Sequence, residues 1–193
     1  MIIQAFEGHL PLLAPDVLLA QGVQLIGKVH LGARCGVQSG AVLRADCGSI
    51  DVGANSMIMD LCSIHPDDEG SCTIGKNVFI GRGAVIAKST IEDGVKVGEG
   101  SLIMPGAVIG EQSILAPGVL VRRGMKIPPR SYVRGRPAKV SHELKESEYS
   151  RGAEACQRER ALLERYNNQQ NEEQMASHLT EITNFRFNTF LNK

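Results

Sequence analysis

The stretch IEDGVKVGEGSLIMPGAVIGEQSILAPGVLV, residues 91–121, decides the fold. Ile91, Val97, Ile103, Ile109, Leu115 and Val121 return every sixth residue. Four positions after the first five of them stand Val95, Ser101, Ala107, Ser113 and Val119, all small or β-branched. Six is neither the period of a helix nor that of a simple strand. The glycines that follow many anchors, Gly98 and Gly110 among them, would each cost a helix roughly 1 kcal/mol. A six-residue period fits a triangular solenoid, in which each hexad is one strand plus one corner and three hexads close a coil. The anchor points inward, and the residue four positions on must be small because it sits near the corner.

The same pattern extends upstream. Ile74, Ile80 and Ile86 form one group, Val52, Ile58 and Ile64 another, and Leu13, Leu19, Leu25, Leu31, Val37 and Leu43 run without a gap. Val17, Val23, Val29, Cys35, Ala41, Cys47, Ser56, Cys62, Val78 and Ala84 keep the small positions, so Cys35, Cys47 and Cys62 read as buried packing thiols. These anchors predict about six coils, at three hexads each.

Downstream the repeat fades after Ile127-Pro128-Pro129, and Arg134-Gly135-Arg136-Pro137-Ala138-Lys139 reads as a turn out of the solenoid. The predicted organisation is a β-helix over 1–140, a C-terminal helix over 141–170 and a tail over 171–193 with no assigned role. Ser141 is the expected N-cap, and Leu144, Tyr149, Ala153, Cys156, Leu163 and Tyr166 supply an apolar stripe that can lie along a flat solenoid face.

Composition narrows the partners. Lysine plus arginine equals aspartate plus glutamate at 21 each, so no global field draws the chain to nucleic acid or an anionic membrane. No run approaches the roughly 18 apolar residues of a membrane span, and the N-terminus lacks the pattern of a secretory signal, so a cytoplasmic location is expected. The five cysteines include no CxxC pair, which argues against a disulfide framework or a zinc ribbon. No motif for a cofactor is visible, and none is expected.

Several elements together resemble a known family. Ala5-Phe6-Glu7-Gly8, Gly40-Ala41-Val42-Leu43-Arg44-Ala45-Asp46, Asp60, Ile64-His65 and Gly135-Arg136-Pro137-Ala138-Lys139 are similar to the γ-class carbonic anhydrase-like proteins, in particular the branch associated with carnitine and phenylacetate metabolism. The resemblance implies a left-handed winding and a homotrimer. It also implies one metal, usually zinc, at each subunit interface, held by three histidines with a position left for water.

Carried onto this chain, the first histidine is His65, and the other two positions are Arg82 and Ala87. Ala87 offers no ligand, and Arg82 brings a permanent positive charge where a dication would sit, so no metal is expected. Met57-Ile58-Met59-Asp60 stands where the family carries Asn-Ile-Gln-Asp, removing the glutamine that orients metal-bound water. Arg44, Asp46 and Asp60 match family positions that pair near the trimer interface. Asp67, Asp68 and Glu69 read as a solvated acidic loop after Pro66, although carboxylates are able to ligate zinc. His9, His30, His142 and His178 each stand alone and read as structural.

The leading expectation is therefore a trimeric relative of the carbonic anhydrases that has lost zinc binding and CO₂ hydration. Its intersubunit cleft would be an anion or acyl-ligand pocket around His65 and Arg82, or a scaffold. One alternative is an acyl-CoA-dependent transferase or thioesterase working in the intersubunit groove with His65 as general base. The other is an active carbonic anhydrase with replacement metal ligands.

Overall fold

A computed structural model of the chain describes residues 1–170. The hexads wind into a parallel β-solenoid of about seven turns. Successive anchors fall on three faces in strict rotation. One face carries the start of the strand Val42–Val52, then Ser63–His65, Val85–Ala87, Leu102–Ile103 and Leu120–Val121. The second carries the end of Val42–Val52, then Ser71–Ile74, Thr90–Ile91, Val108–Ile109 and Lys126–Ile127. The third carries Leu18–Leu19, Gly36–Val37, Met57–Ile58, Phe79–Ile80, Lys96–Val97, Ile114–Leu115 and Ser131–Arg134.

Every anchor from Leu25 to Val121 is at most 2% exposed, so the sixfold periodicity is an inward-pointing column on each face. Each such aliphatic side chain contributes about 1.5–3 kcal/mol by leaving water. The coil count exceeds the expected six because Ile127 and Val133 supply rungs beyond Val121, and Ile2–Gln4 pairs with Gln24–Ile26 at the other end.

The small positions have a chemical use as well as a steric one. Ser56 Oγ donates to the Gly75 carbonyl at 2.8 Å and accepts from the Val78 N–H at 3.0 Å. Ser113 Oγ does the same between the Pro128 carbonyl and the Ser131 N–H. Cys62 Sγ lies 3.2 Å from the Gly81 carbonyl. A buried hydroxyl or thiol at these corners thus stitches one coil to the next, whereas the buried Ser89 hydroxyl at the equivalent position before Ile91 has no partner among the described residues.

The C-terminal helix occupies residues 151–170. Ser141 does not cap it. Lys139–Glu143 instead turns back antiparallel on Ser131–Arg134 and closes the third face, and a short 3₁₀ turn at Glu146–Glu148 precedes the helix. The helix covers the third face: Met57, Met59 and Phe79, whose strand neighbours Ile58 and Ile80 point inward, are buried against Ala155, Cys156 and Leu163. The expected residues 171–193 lie outside the described part, as does His178.

Candidate functional site

The solenoid departs from its rule at one corner. Nine residues separate Leu43 from Val52, and ten separate Ile64 from Ile74, where six is usual. Ala45 and Ile50 keep the core filled at 4% and 0% exposure, so the surplus must bulge outward. Cys47 lies on that bulge and is exposed, unlike Cys35 and Cys62, which are buried as expected. The bulges pack closely because they carry glycine. Gly48 has φ +98°, and a β-carbon on it would stand 2.0 Å from the Gly70 carbonyl. Together with the Phe6–His9 turn and Lys28 they enclose a cleft of about 870 Å³, with Asp46, Cys47 and the 67–70 loop on its walls.

His65 stands at the edge of this cleft, on the outward side of the first face. Pairing of Leu43 with Ile64 brings Arg44 abreast of His65, and His65 pairs directly with Ala87 on the next coil. Arg44 Nη2 lies 3.0 Å from His65 Nε2. A guanidinium only donates, so this contact requires the Nε2 lone pair and puts the ring proton on Nδ1, which faces Asp67 Oδ1 at 3.5 Å. Asp46 completes the group, with Oδ2 at 3.4 Å from Arg44 Nε and Oδ1 at 3.3 Å from His65 Nε2. Asp46 Oδ1 is buried and accepts no hydrogen bond among the described residues. Protonation of His65 at Nε2 would give it one, at the expense of the Arg44 contact.

Arg82 and Asp60 form a second group at the corner between the third and first faces. Arg82 Nε donates to Asp60 Oδ2 at 3.1 Å, and Arg82 Nη2 lies 3.9 Å from Glu159 Oε2 on the C-terminal helix. Beside them Leu61 holds φ +59° and is 71% exposed, in a turn where the next coil has Gly83 at φ +66°. Among the described residues the ion pairs of Arg82 and those of His65 share no member. The sequence-predicted site residues thus divide into Arg44, Asp46 and His65 on one side and Asp60 and Arg82 on the other.

Of the acidic loop, Asp67 faces His65 and Asp68 pairs with Lys88, while Glu69 is exposed. Met59 does not reach the cleft; it is buried beneath the helix. Of the other described histidines, His30 lies 3.8 Å from Asp51, and His142 stacks on Tyr132 with ring centroids 5.0 Å apart. His9 lines the cleft from the Phe6–His9 turn. Glu159 and Lys28 escaped the sequence reading because nothing local marks a helix glutamate or a strand lysine as a neighbour of residues so far away.

The zinc implied by the family does not fit the residues present. Ala87, the position beside His65, has no donor atom, and the Nε2 lone pair that would bind a metal already receives the Arg44 guanidinium.

Residues 88–123 match the model for the bacterial transferase hexapeptide, six repeats. A probable carbonic anhydrase of Methanocaldococcus jannaschii is 44% identical over 137 residues, 71% of this chain and 86% of that protein. The carnitine operon protein CaiE of Escherichia coli is 35% identical over 144 residues, 75% of this chain and 74% of CaiE. Among solved structures, a hexapeptide transferase family protein from Anaplasma phagocytophilum superposes with a TM-score of 0.80 at 31% identity, covering 86% of this chain and 98% of that one. The solenoid is the left-handed parallel β-helix that the resemblance implied. With its hexad core, its Arg44–Asp46–His65 group and these relatives, the chain belongs to the γ-carbonic anhydrase-like family of hexapeptide-repeat proteins.

Proposed function

We propose that the chain assembles as a homotrimer whose intersubunit cleft binds a small anion and no longer hydrates CO₂. The observation that carries this reading is the Arg44 guanidinium at 3.0 Å from His65 Nε2, across from an alanine. Where a family member would present a metal to a bicarbonate-sized ligand, this cleft presents a cationic donor and an imidazole. Arg82 of a neighbouring copy would add a second guanidinium, because within its own chain it is tied to Asp60 and faces a different corner.

Trimer formation is supported by the outward residues of the first face. Val85, Leu102 and Leu120 form an apolar column on the coils beyond His65, with Ser63 between Val85 and Val42 in the same row, and Val85 is 41% exposed. Such a column on a prism face is covered when three copies close around an axis.

Likeness to a hexapeptide transferase supports a second reading, acyl transfer in the same groove with His65 as base. That reading requires Arg44 to leave Nε2 before the ring can take a proton.

The test is titration of ¹⁵N-histidine-labelled protein with bicarbonate and with acetate, alongside sedimentation equilibrium. A trimer mass and a saturable shift of the His65 ring nitrogens, lost in Arg44→Gln, is the expected result. A monomer, or a His65 ring indifferent to both anions, would overturn the proposal. A shift produced only by an acyl-CoA would favour the transferase reading.

A further inference from the structure

We infer that the seam between the C-terminal helix and the solenoid holds a second site, for a small oxyanion, built around Arg160 and Arg34. It is separate from the His65 cleft and shares no residue with it. A cavity of about 280 Å³ opens there, lined by Arg34, Asn55 and Asn77 from the corner and by Gln157, Arg160 and Glu164 from the helix.

The corner side of the cavity is a regular column. Arg34, Asn55 and Asn77 occupy the same turn in three successive coils, with φ of +60°, +61° and +56°. Backbone bonds stack them: the Asn55 N–H donates to the Ala33 carbonyl at 2.8 Å and the Asn77 N–H to the Ala54 carbonyl at 3.0 Å. Asparagine tolerates this left-handed backbone better than most residues. An arginine there has no such advantage.

The helix side supplies an imbalance of donors. The Arg160 side chain is only 11% exposed. Its Nη2 donates to the Asp16 carbonyl at 3.2 Å. Its Nη1 is buried and has no acceptor among the described residues. Glu164 Oε1 comes within 2.9 Å of Nε but lies out of line with its N–H, so that donor is also unsatisfied as a hydrogen bond. A buried cationic donor without an acceptor is costly, and an acceptor-rich ligand removes the cost.

Charge and size choose the ligand class. Two guanidiniums face one carboxylate in the lining, and the side-chain amides of Asn55, Asn77 and Gln157 offer further donors. Among the described residues, only Arg34 Nε is already committed on the corner side, to Asn55 Oδ1 at 3.0 Å. The cavity lies just below the range of roughly 300–1,000 Å³ usual for small-molecule pockets, which suits phosphate, sulfate or a short carboxylate and excludes a nucleotide-sized ligand. Because its walls come from both the helix and the solenoid, an occupant also fastens one to the other.

The experiment is isothermal titration of the full chain with inorganic phosphate at constant ionic strength set by chloride. It is run on the parent and on Arg34→Gln, Ala161→Glu and Arg44→Gln. Ala161 lines the same cavity and is exposed on the helix, so glutamate there adds a repelling charge without disturbing the core. The expected result is a saturable phosphate site whose affinity falls at least tenfold in Arg34→Gln and in Ala161→Glu and which persists in Arg44→Gln, where any binding at the His65 cleft is removed. Phosphate should also raise the melting temperature of the parent more than chloride does. Absence of saturable binding would overturn the inference. Binding lost in Arg44→Gln and kept in the other two variants would also overturn it, because the anion would then occupy the His65 cleft.

Discussion

Ala87 lies directly across the parallel ladder from His65, one coil further along, and the register between the two strands is unbroken from Ser63–Val85 to His65–Ala87. The geometry for two ligands on adjacent strands is therefore kept, while one of the two donors has been replaced by a methyl group. This relationship makes the missing metal chemistry a matter of side chains and not of backbone. The parent protein should hold no stoichiometric zinc after dialysis against a weak chelator, measured by elemental analysis, and should not accelerate CO₂ hydration. Arg82→His combined with Ala87→His should raise zinc content towards one per subunit, since three imidazoles complete a tetrahedral site with a position left for water. Hydration activity should lag behind zinc content, because Met59 is buried beneath the helix and supplies no polar group to orient that water. Zinc retained by the unmodified protein would mean that Asp67 or another carboxylate completes the site.

The anchor columns predict where substitution is fatal. Leu31→Asp and Ile103→Asp each place a carboxylate at a position with 0% exposure and no partner, which should abolish folding. Ile103→Ala is a milder probe, expected to cost about 2–5 kcal/mol through the cavity it leaves. His9→Ala, in an exposed turn, should leave the melting temperature nearly unchanged. Thermal unfolding of the four variants followed by circular dichroism checks the ranking.

The fold was legible because burial acts on every sixth residue and leaves little latitude at the anchors. Where it was less legible, the cause is physical in each case. Cys47 occupies a small-residue position by count, but the count fails between Leu43 and Val52, and nothing in composition says which of the extra residues leave the core. Ser141 has the chemistry of an N-cap, yet all five residues of Lys139–Glu143 are exposed, so no alternation betrays the strand. The site divides similarly. His65, Arg44 and Asp46 were found from motif, whereas the 22-residue step from Asp60 to Arg82 is one bulged coil that only the closed solenoid makes adjacent. Glu159, met from a helix that the periodicity starts too early, had no sequence signal at all.

The helix should depend on a small apolar patch. Met57, Phe79, Cys156 and Leu163 are each at most 3% exposed and carry its contact with the third face. Leu163→Asp should release the helix while leaving the solenoid core folded, because that core is a separate cluster. Limited proteolysis is expected to cleave this variant near residues 150–165 at least tenfold faster than the parent, with the β-sheet signal unchanged. Complete unfolding of Leu163→Asp would instead show that the solenoid needs its helix to stand.

The thiols give a pH limit and a labelling pattern. Burial pushes Cys62 and Cys72 up to about 11 and Cys156 up to about 12, and raises Cys35 as well. In the unfolded chain these groups ionise near the ordinary thiol value of 9.0. The folded state therefore holds their protons more tightly than the unfolded state does, and the associated stability is fully present below pH 9. It is lost progressively as the pH rises from about 9 through the folded values. Denaturant midpoints should accordingly stay level from neutral pH to about 9 and fall between about 9 and 11, while Cys62→Ser, whose hydroxyl does not ionise in this range, should show a shallower fall. At neutral pH a water-soluble thiol reagent should modify only Cys47 among the five cysteines, and mass spectrometry of the digested protein identifies the site. Rapid labelling of Cys62 or Cys72 in the native protein would show instead that these buried positions open to solvent.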